Sequence, residues 1–531
     1  MEVFAIEHFS PDCDGELFEC GTAVDPNIAL PIGRFLHTVN RHAADPAMTV
    51  GRITVTYSQL LQLGRTVAEH LRSLPDYLPG CRVIVLAPNS IEYVAAMLGV
   101  WLADAVFVPQ THKVEGERLS RLIETTDAIA VLSTPRVLRV RKDLSSYAVS
   151  TISGNMASHS DFSMPSVMAT EDSLAAIFFT SGSSGKPKGV MLTHANLAAN
   201  AQSIQSYLRI DHTERPLCVL PFHHAFGNSI LQSHLLAGAH LVLDGQTLFP
   251  ETLLDAIEKH HCTSLSGVPD LFTSLMERSS LGTRSLPSLR YCSVAGGALR
   301  RPLALRIQQL IHPSQFVVMY GQTEATARLA WLANDELLNV DDGCIGQAIP
   351  GVTLAIVDEQ GSPVPPGETG ELIAQGPNIM AGYWCDPTAT AERLRDGWLY
   401  TGDLASQDQA GRIVIRGRRS SFVKIAGYRV MPSDLEEFAA RELPVYQAVA
   451  VSFESTTVGT RLALYLRPSE TAGDDLISRS IAICRAKLPR HLVPAIVKTV
   501  DHFPLTAACK IDRPLLTKWA HEASLQQRNR A

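Results

Sequence analysis

Residues 178–190 read Phe178-Phe-Thr-Ser-Gly-Ser-Ser-Gly-Lys-Pro-Lys-Gly-Val190, an apolar run that empties into glycines, hydroxyls and two lysines. A strand leading into an anion-wrapping loop has this composition. Gly182, Gly185 and Gly189 let backbone N–H groups approach phosphate oxygens, Thr180, Ser181, Ser183 and Ser184 supply hydroxyl donors, and Lys186 or Lys188 neutralises charge. A flexible surface linker shares the same residue types, so the stretch needs support from the rest of the chain. One alternative is weak at once: a Walker A loop places Ser or Thr directly after its Gly-Lys pair, and here Pro187 follows Lys186.

Around this loop, from about residue 52 to 420, short apolar runs alternate with longer segments of helical period, as in parallel sheets covered by helices. Strands are predicted at 82–87, 128–132, 217–220, 240–243 and 315–319. Residues 57–74 carry apolar side chains at helical spacing, with Ser58 placed as the cap. The longest apolar stretch, 94–103, lies between Glu92 and Asp104; it is too short to cross a bilayer and predicts a buried helix. After Ile349 the runs shorten and are broken by Gly and Pro, which predicts an antiparallel, barrel-like portion ending near Gly417. The remaining residues are enough for a second, mobile domain. The predicted fold is therefore α/β: a large N-terminal domain, 1–417, with parallel-type sheets flanked by helices, then a small α+β domain, 418–531.

Bulk properties narrow the function. The chain has 531 residues, 46% hydrophobic and 19% charged, which fits a folded globular protein. Its formal charge is −7 and no run of five Lys or Arg occurs, which argues against nucleic acid as a partner. Ten cysteines are scattered without CxxC pairs, and the acidic N-terminus has no basic segment followed by an apolar one. Both point to reduced thiols, a cytoplasmic setting and no integral membrane segment.

Five further segments give the loop its context: Ala295-Gly-Gly-Ala298, Tyr320-Gly-Gln-Thr-Glu324, Tyr400-Thr-Gly-Asp-Leu404, Gly417-Arg-Arg-Ser-Ser-Phe-Val-Lys-Ile-Ala-Gly-Tyr-Arg-Val430 and Pro504-Leu-Thr-Ala-Ala-Cys-Lys-Ile-Asp-Arg513. With the loop, and in this order, they resemble the adenylate-forming superfamily of acyl- and aryl-CoA synthetases, peptide-synthetase adenylation domains and luciferases. The pattern is most similar to free-standing acyl-CoA synthetases. The resemblance implies activation of a carboxylic acid by ATP and Mg²⁺ to an acyl adenylate, followed by acyl transfer to a thiol.

It also implies roles, residue by residue. The loop from Thr180 to Lys188 would hold phosphates. The Tyr320 ring would pack on adenine, Thr323 would meet the α-phosphate, and Glu324 would help hold Mg²⁺. Ala295, Gly296 and Gly297 would line the adenine and acyl pockets, Asp403 would accept from the ribose hydroxyls, and Arg418 would contact ribose or phosphate. Lys424 would sit near the acyl adenylate, and Ala426 and Gly427 where a pantetheine arm passes. Lys510 would be the lysine of adenylation, and Ser420 the hinge about which the small domain turns. Taken singly, Asp403 also suits a turn and Lys510 a surface position.

The chain departs from the pattern in three places. Ser420 stands where relatives carry Asp or Lys, Cys509 replaces a glycine before the catalytic lysine, and Val108-Pro-Gln-Thr-His112 lacks a common Pro-Leu-x-Pro run. Pro221-Phe-His-His-Ala-Phe-Gly-Asn228 lies where the family builds one wall of the acyl pocket, with His224 as gate. No Asp stands there to pair with an ammonium, so an acid with an uncharged aliphatic or aromatic tail is expected rather than an α-amino acid. Few residues follow Lys510, so the thiol is expected from outside: coenzyme A first, the phosphopantetheine arm of a separate carrier protein second. Ser420 and Cys509 also keep open a non-catalytic binder of nucleotide or acyl adenylate, which would bind ATP without releasing AMP.

Overall fold

The computed structural model describes residues 30–114, 116–146, 149–151, 167–181, 187–297, 299–419, 423–425, 428–455, 459–505 and 511–528. Two sheets dominate. The first has seven strands in the order Gly382–Tyr383, Pro187–Thr193, Leu174–Ser181, Val106–Gln110, Arg82–Leu86, Ala128–Ser133 and Val149–Thr151. Its last five strands run parallel, whereas Leu174–Ser181 and Pro187–Thr193 form an antiparallel hairpin. Near-continuous Val and Ile in these parallel strands follow from burial on both faces.

The second sheet has fourteen strands. Parallel strands Ser264–Gly267, Tyr291–Val294 and Gln315–Tyr320 lie near its middle. The antiparallel portion expected after Ile349 is present as Thr353–Val357, Gly370–Gln375, Trp398–Gln407 and Ile413–Arg418. It does not close into a barrel among the described residues. It runs on through Cys344–Ala348 and Ala330–Leu332 into the parallel strands.

The predicted helix after residue 56 spans Tyr57–Arg72, but Ser58 is not its cap. Thr56 is: its hydroxyl accepts from Gln59 N while Gln59 Oε1 accepts from Thr56 N, a reciprocal capping box. The apolar stretch near residue 94 forms the buried helix Ile91–Leu102, capped by Ser90. Of the strand expected at 217–220, only Pro216–Leu217 pairs. Pro221 has no N–H to give a ladder, and the Asn89 side chain takes over the neighbouring backbone groups, donating to Leu220 O and accepting from Phe222 N.

From Val423 onwards a three-stranded sheet, Val445–Ser455, Gly459–Pro468 and Ile496–Thr499, is covered by helices Pro432–Glu442, Leu476–Lys487 and Arg513–Arg528. The two apolar clusters on its faces draw only on residues of this segment. Seven described cysteines carry free thiols, six buried and Cys385 exposed. Among the described residues no helix is long and apolar enough to cross a membrane.

Two buried histidines make stability depend on pH. Burial pushes His194 and His234 down to about 4, so both rings are neutral in the fold. In the unfolded chain each protonates near 6.5, so unfolding takes up protons below that value. Stability present above about pH 6.5 is therefore lost as pH falls towards about 4. Calorimetry from about pH 7.5 to about pH 4.5 should show Tm falling across this window, less steeply in His194→Phe. An equal slope in the variant would show that His194 is not a source of the effect.

Candidate active site

In the hairpin Leu174–Ser181/Pro187–Thr193, Thr180 stands opposite Lys188 and Ser181 opposite Pro187, and the Thr180 hydroxyl donates to Lys188 O over 3.5 Å. Lys188 Nζ lies 5.0 Å from the ring centroid of Tyr383, a cation over an aromatic face. The Tyr383 hydroxyl in turn donates to Glu324 Oε1 at 2.8 Å. The exit of the expected phosphate loop and the expected Mg²⁺ ligand are thus joined through one tyrosine that the sequence reading missed. Nothing in the pair Gly382-Tyr383 sets it apart from an ordinary edge strand.

Thr323 and Glu324 occupy a short helical turn, Thr323–Ala325, directly after strand Gln315–Tyr320. Side-chain and backbone bonds hold the turn in place. Met380 N donates to Glu324 O, Thr326 Oγ1 to Asn378 O, and Asn378 Nδ2 to Ala325 O and Arg328 O.

At the strand's end the Tyr320 hydroxyl donates to Asp403 Oδ2 at 2.5 Å, and Arg418 Nε lies 2.9 Å from Asp403 Oδ1. Asp403 and Arg418 face each other on neighbouring antiparallel strands. The carboxylate side chain is 6% exposed and the arginine side chain 63%, so one partner is a fixed acceptor and the other reaches into open space. Burial first, then Asp403, raises the Tyr320 phenol well above its ordinary value, and Asp403 raises Arg418. Both are donors at neutral pH. Two donors leave further acceptor capacity on a carboxylate, and Tyr320 has a polar tie beyond the expected ring stacking.

On the other flank, His224 precedes helix Ala225–Leu235, its ring 4.3 Å from that of His223. Burial, then His224 and His112, holds His223 neutral, down to about 3. The Ala295–Gly297 loop leaves strand Tyr291–Val294 with Gly296 at φ +86°. A Cβ on Gly296 would meet Val268 Cγ1 at 3.4 Å and Phe226 Cδ1 at 3.9 Å. The small-residue loop and the Pro221–Asn228 wall therefore meet at Phe226, a second residue that sequence reading did not single out.

Gly182, Ser183, Ser184, Gly185, Lys186, Ser420, Ala426, Gly427, Cys509 and Lys510 lie outside the described residues, as do the side chains of Ser181 and Lys424. Lys424 is placed by its backbone in strand Val423–Ile425, opposite Arg429 of strand Tyr428–Val430.

A family model described as AMP-binding enzyme matches residues 35–384, more than half of the chain. The chain belongs to the AMP-binding enzyme family. This AMP-binding enzyme is 29% identical over 472 residues to a feruloyl-CoA synthase of an Amycolatopsis species, covering 88% of this chain and 94% of that one. It is 27% identical over 530 residues to a long-chain-fatty-acid–CoA ligase of Escherichia coli, covering 91% and 93%. The fold of ATP-bound MatB from Rhodopseudomonas palustris matches it with a TM-score of 0.82 at 23% identity, over 93% of this chain and 99% of that one.

Proposed function

We propose that this AMP-binding enzyme uses ATP to convert a carboxylic acid to an acyl adenylate with release of pyrophosphate, then transfers the acyl group to a thiol. Coenzyme A is the first acceptor and the phosphopantetheine arm of a separate carrier protein the second. The observation that carries this reading is the convergence of Lys188, Tyr383 and Glu324 on one side with Tyr320, Asp403 and Arg418 on the other, at the two ends of the turn that follows Gln315–Tyr320. Relatives named as CoA synthase and CoA ligase over nearly their full length support the acceptor.

Thr180, Ser181 and Lys188, with the loop 182–186, hold the phosphates, and Asp403 accepts from the ribose hydroxyls beside Arg418. Tyr320 keeps Asp403 oriented while its ring faces the base. Ala295, Gly296 and Gly297 leave room for a planar group, and His224 flanks the acid. Thr323 donates to the α-phosphate. Mg²⁺ fits this donor set: the Glu324 carboxylate, positioned by the Tyr383 hydroxyl, is a hard oxygen ligand of the kind that holds Mg²⁺ together with substrate phosphates. When bound, the ion would neutralise phosphate charge. Lys510 stabilises the charge that develops as the carboxylate attacks phosphorus. Residues 418–531 form a separate mobile domain that turns about Ser420, withdrawing Lys510 and bringing Lys424, Ala426 and Gly427 to the adenylate for the thiol step.

The test is acid-dependent exchange of labelled pyrophosphate into ATP across a panel of fatty, aryl, dicarboxylic and amino acids. Exchange with one class is expected; ATP binding without exchange or AMP release across the whole panel would favour the non-catalytic binder. Asp403 gives a sharper local check. Hydrogen bonds to a charged acceptor contribute about 1.5–3 kcal/mol, so Asp403→Ala should weaken ATP binding by roughly 10- to 150-fold in calorimetric titration. Unchanged affinity would remove Asp403 from the nucleotide site.

A further inference from the structure

Four residues after Glu324, Arg328 is 1% exposed and among the largest fully buried side chains of the protein. Its guanidinium has no carboxylate partner among the described residues. Among the described residues Nε and Nη2 have no hydrogen-bond partner; the remaining contacts of the guanidinium are the carbonyl of the preceding residue, Ala327, 3.4 Å from Nη1, and the neutral phenol of Tyr207, which lies within its hydrogen-bonding reach. The charge lies 4.2 Å from the ring centroid of Phe226, the residue that also faces Gly296. Its other titratable neighbours are the phenols of Tyr207 and Tyr291, both held neutral by burial. Tyr207 stacks on Trp331, with ring centroids 5.0 Å apart, and donates to Met319 Sδ.

The cation therefore lies among aromatic rings at the point where the small-residue loop and the Pro221–Asn228 wall meet. The helix His194–Leu208, which bears Tyr207, carries further buried polar groups. Asn200 Nδ2 and Ser203 Oγ, on the helix face that carries Tyr207, also lack partners. A small cavity lined by Asn200, Asn228, Gln232 and Thr326 lies between this helix and Ala225–Leu235. A buried charge is strongly disfavoured unless something pairs with it. Among the described residues the protein supplies aromatic faces and spare donors here, and no anion.

We infer that Arg328 recognises a second, distal carboxylate on the acid substrate, so that the preferred acids are dicarboxylic. A planar guanidinium with free donors matches a carboxylate, and pairing there is strong because water is excluded. The inference rests on the acid-activating reading of the site. It revises the uncharged tail expected from the sequence: no Asp stands ready for an ammonium, but a cation stands ready for an anion.

The experiment measures pyrophosphate exchange by wild type, Arg328→Met and Arg328→Lys with matched pairs of acids: butyrate and succinate, hexanoate and adipate, benzoate and the phthalates. Wild type should favour the dicarboxylic member of at least one pair by tenfold or more in kcat/KM, on the order of one charge-assisted contact. Arg328→Met should lower that value about 100-fold, mostly through KM, and raise the value for the monocarboxylic partner; the lysine variant should fall between. Without acid, Arg328→Met should melt no lower than wild type, because an unpaired buried charge has been removed. Equal use of both members by wild type, with the ratio unchanged in Arg328→Met, overturns the inference and leaves acid activation standing. Large Tm losses in both variants make Arg328 structural and overturn it too. Silence of wild type with every acid overturns both readings together.

Discussion

Lys510→Ala should lower acid-dependent pyrophosphate exchange by about 10²- to 10³-fold, the usual consequence of removing one charge-stabilising donor from a reacting centre. The reason is electrostatic. A carboxylate attacking the α-phosphorus brings two anionic groups into contact, and charge builds on the phosphoryl oxygens as pyrophosphate leaves. On the proposed reading the Lys510 ammonium lowers that barrier and takes no part in the second step. Thioester formation from supplied acyl adenylate and coenzyme A should therefore stay near the wild-type rate. The two half-reactions, assayed separately on one preparation, decide the matter, and an equal loss in both would end the division of labour assigned to Lys510 and the thiol-step face.

Gly321→Ala should be nearly as damaging, for a steric reason. The chain folds back after Tyr320 so tightly that a Cβ on Gly321 would lie 1.9 Å from Ala327 O and 2.7 Å from Arg328 Cα. Backbone atoms cannot rotate aside as a side chain can. The return segment is already constrained, with Thr326 at φ 53° and Ala327 at φ 99°, in the left-handed region that non-glycine residues seldom adopt. Bonds from Leu329 N to Tyr320 O and from Ala327 N to Gln322 O close the turn. The methyl must displace either Tyr320 or the segment carrying Thr323, Glu324 and Arg328. Overpacking of this kind costs about 1–3 kcal/mol, and an ångström of misplacement costs roughly 10²-fold in rate. Tm and exchange rate should fall together; a variant as stable and active as wild type would mean that the turn is not a fixed part of the site.

How legible the site was in the sequence follows from how each residue acts. Tyr320, Glu324, Asp403 and Arg418 sit in short motifs whose order along the chain carries information, and the structure brings Tyr320, Asp403 and Arg418 into direct contact. Tyr383, Phe226 and Arg328 act through partners far away in sequence or through burial alone. Tyr383 meets Glu324 across 59 positions, and an isolated Tyr or Arg in an apolar segment reads as any core or surface residue. The strands at 82–87, 128–132 and 315–319 were readable because their apolar runs are continuous. The strand at 217–220 was not, because Asn89, more than a hundred residues earlier, replaces the ladder there. Thr56 and Ser58 both place a hydroxyl at the start of the helix, and only the reciprocal bond with Gln59 separates them.

The central claim is that the acid's carboxylate attacks the α-phosphorus of ATP at the site built around Tyr320, Glu324 and Asp403. An acid labelled with ¹⁸O in its carboxylate, turned over to its thioester, tests this most directly. The account predicts one labelled oxygen in the AMP released. Label in inorganic phosphate, or unlabelled AMP formed alongside thioester, would contradict it.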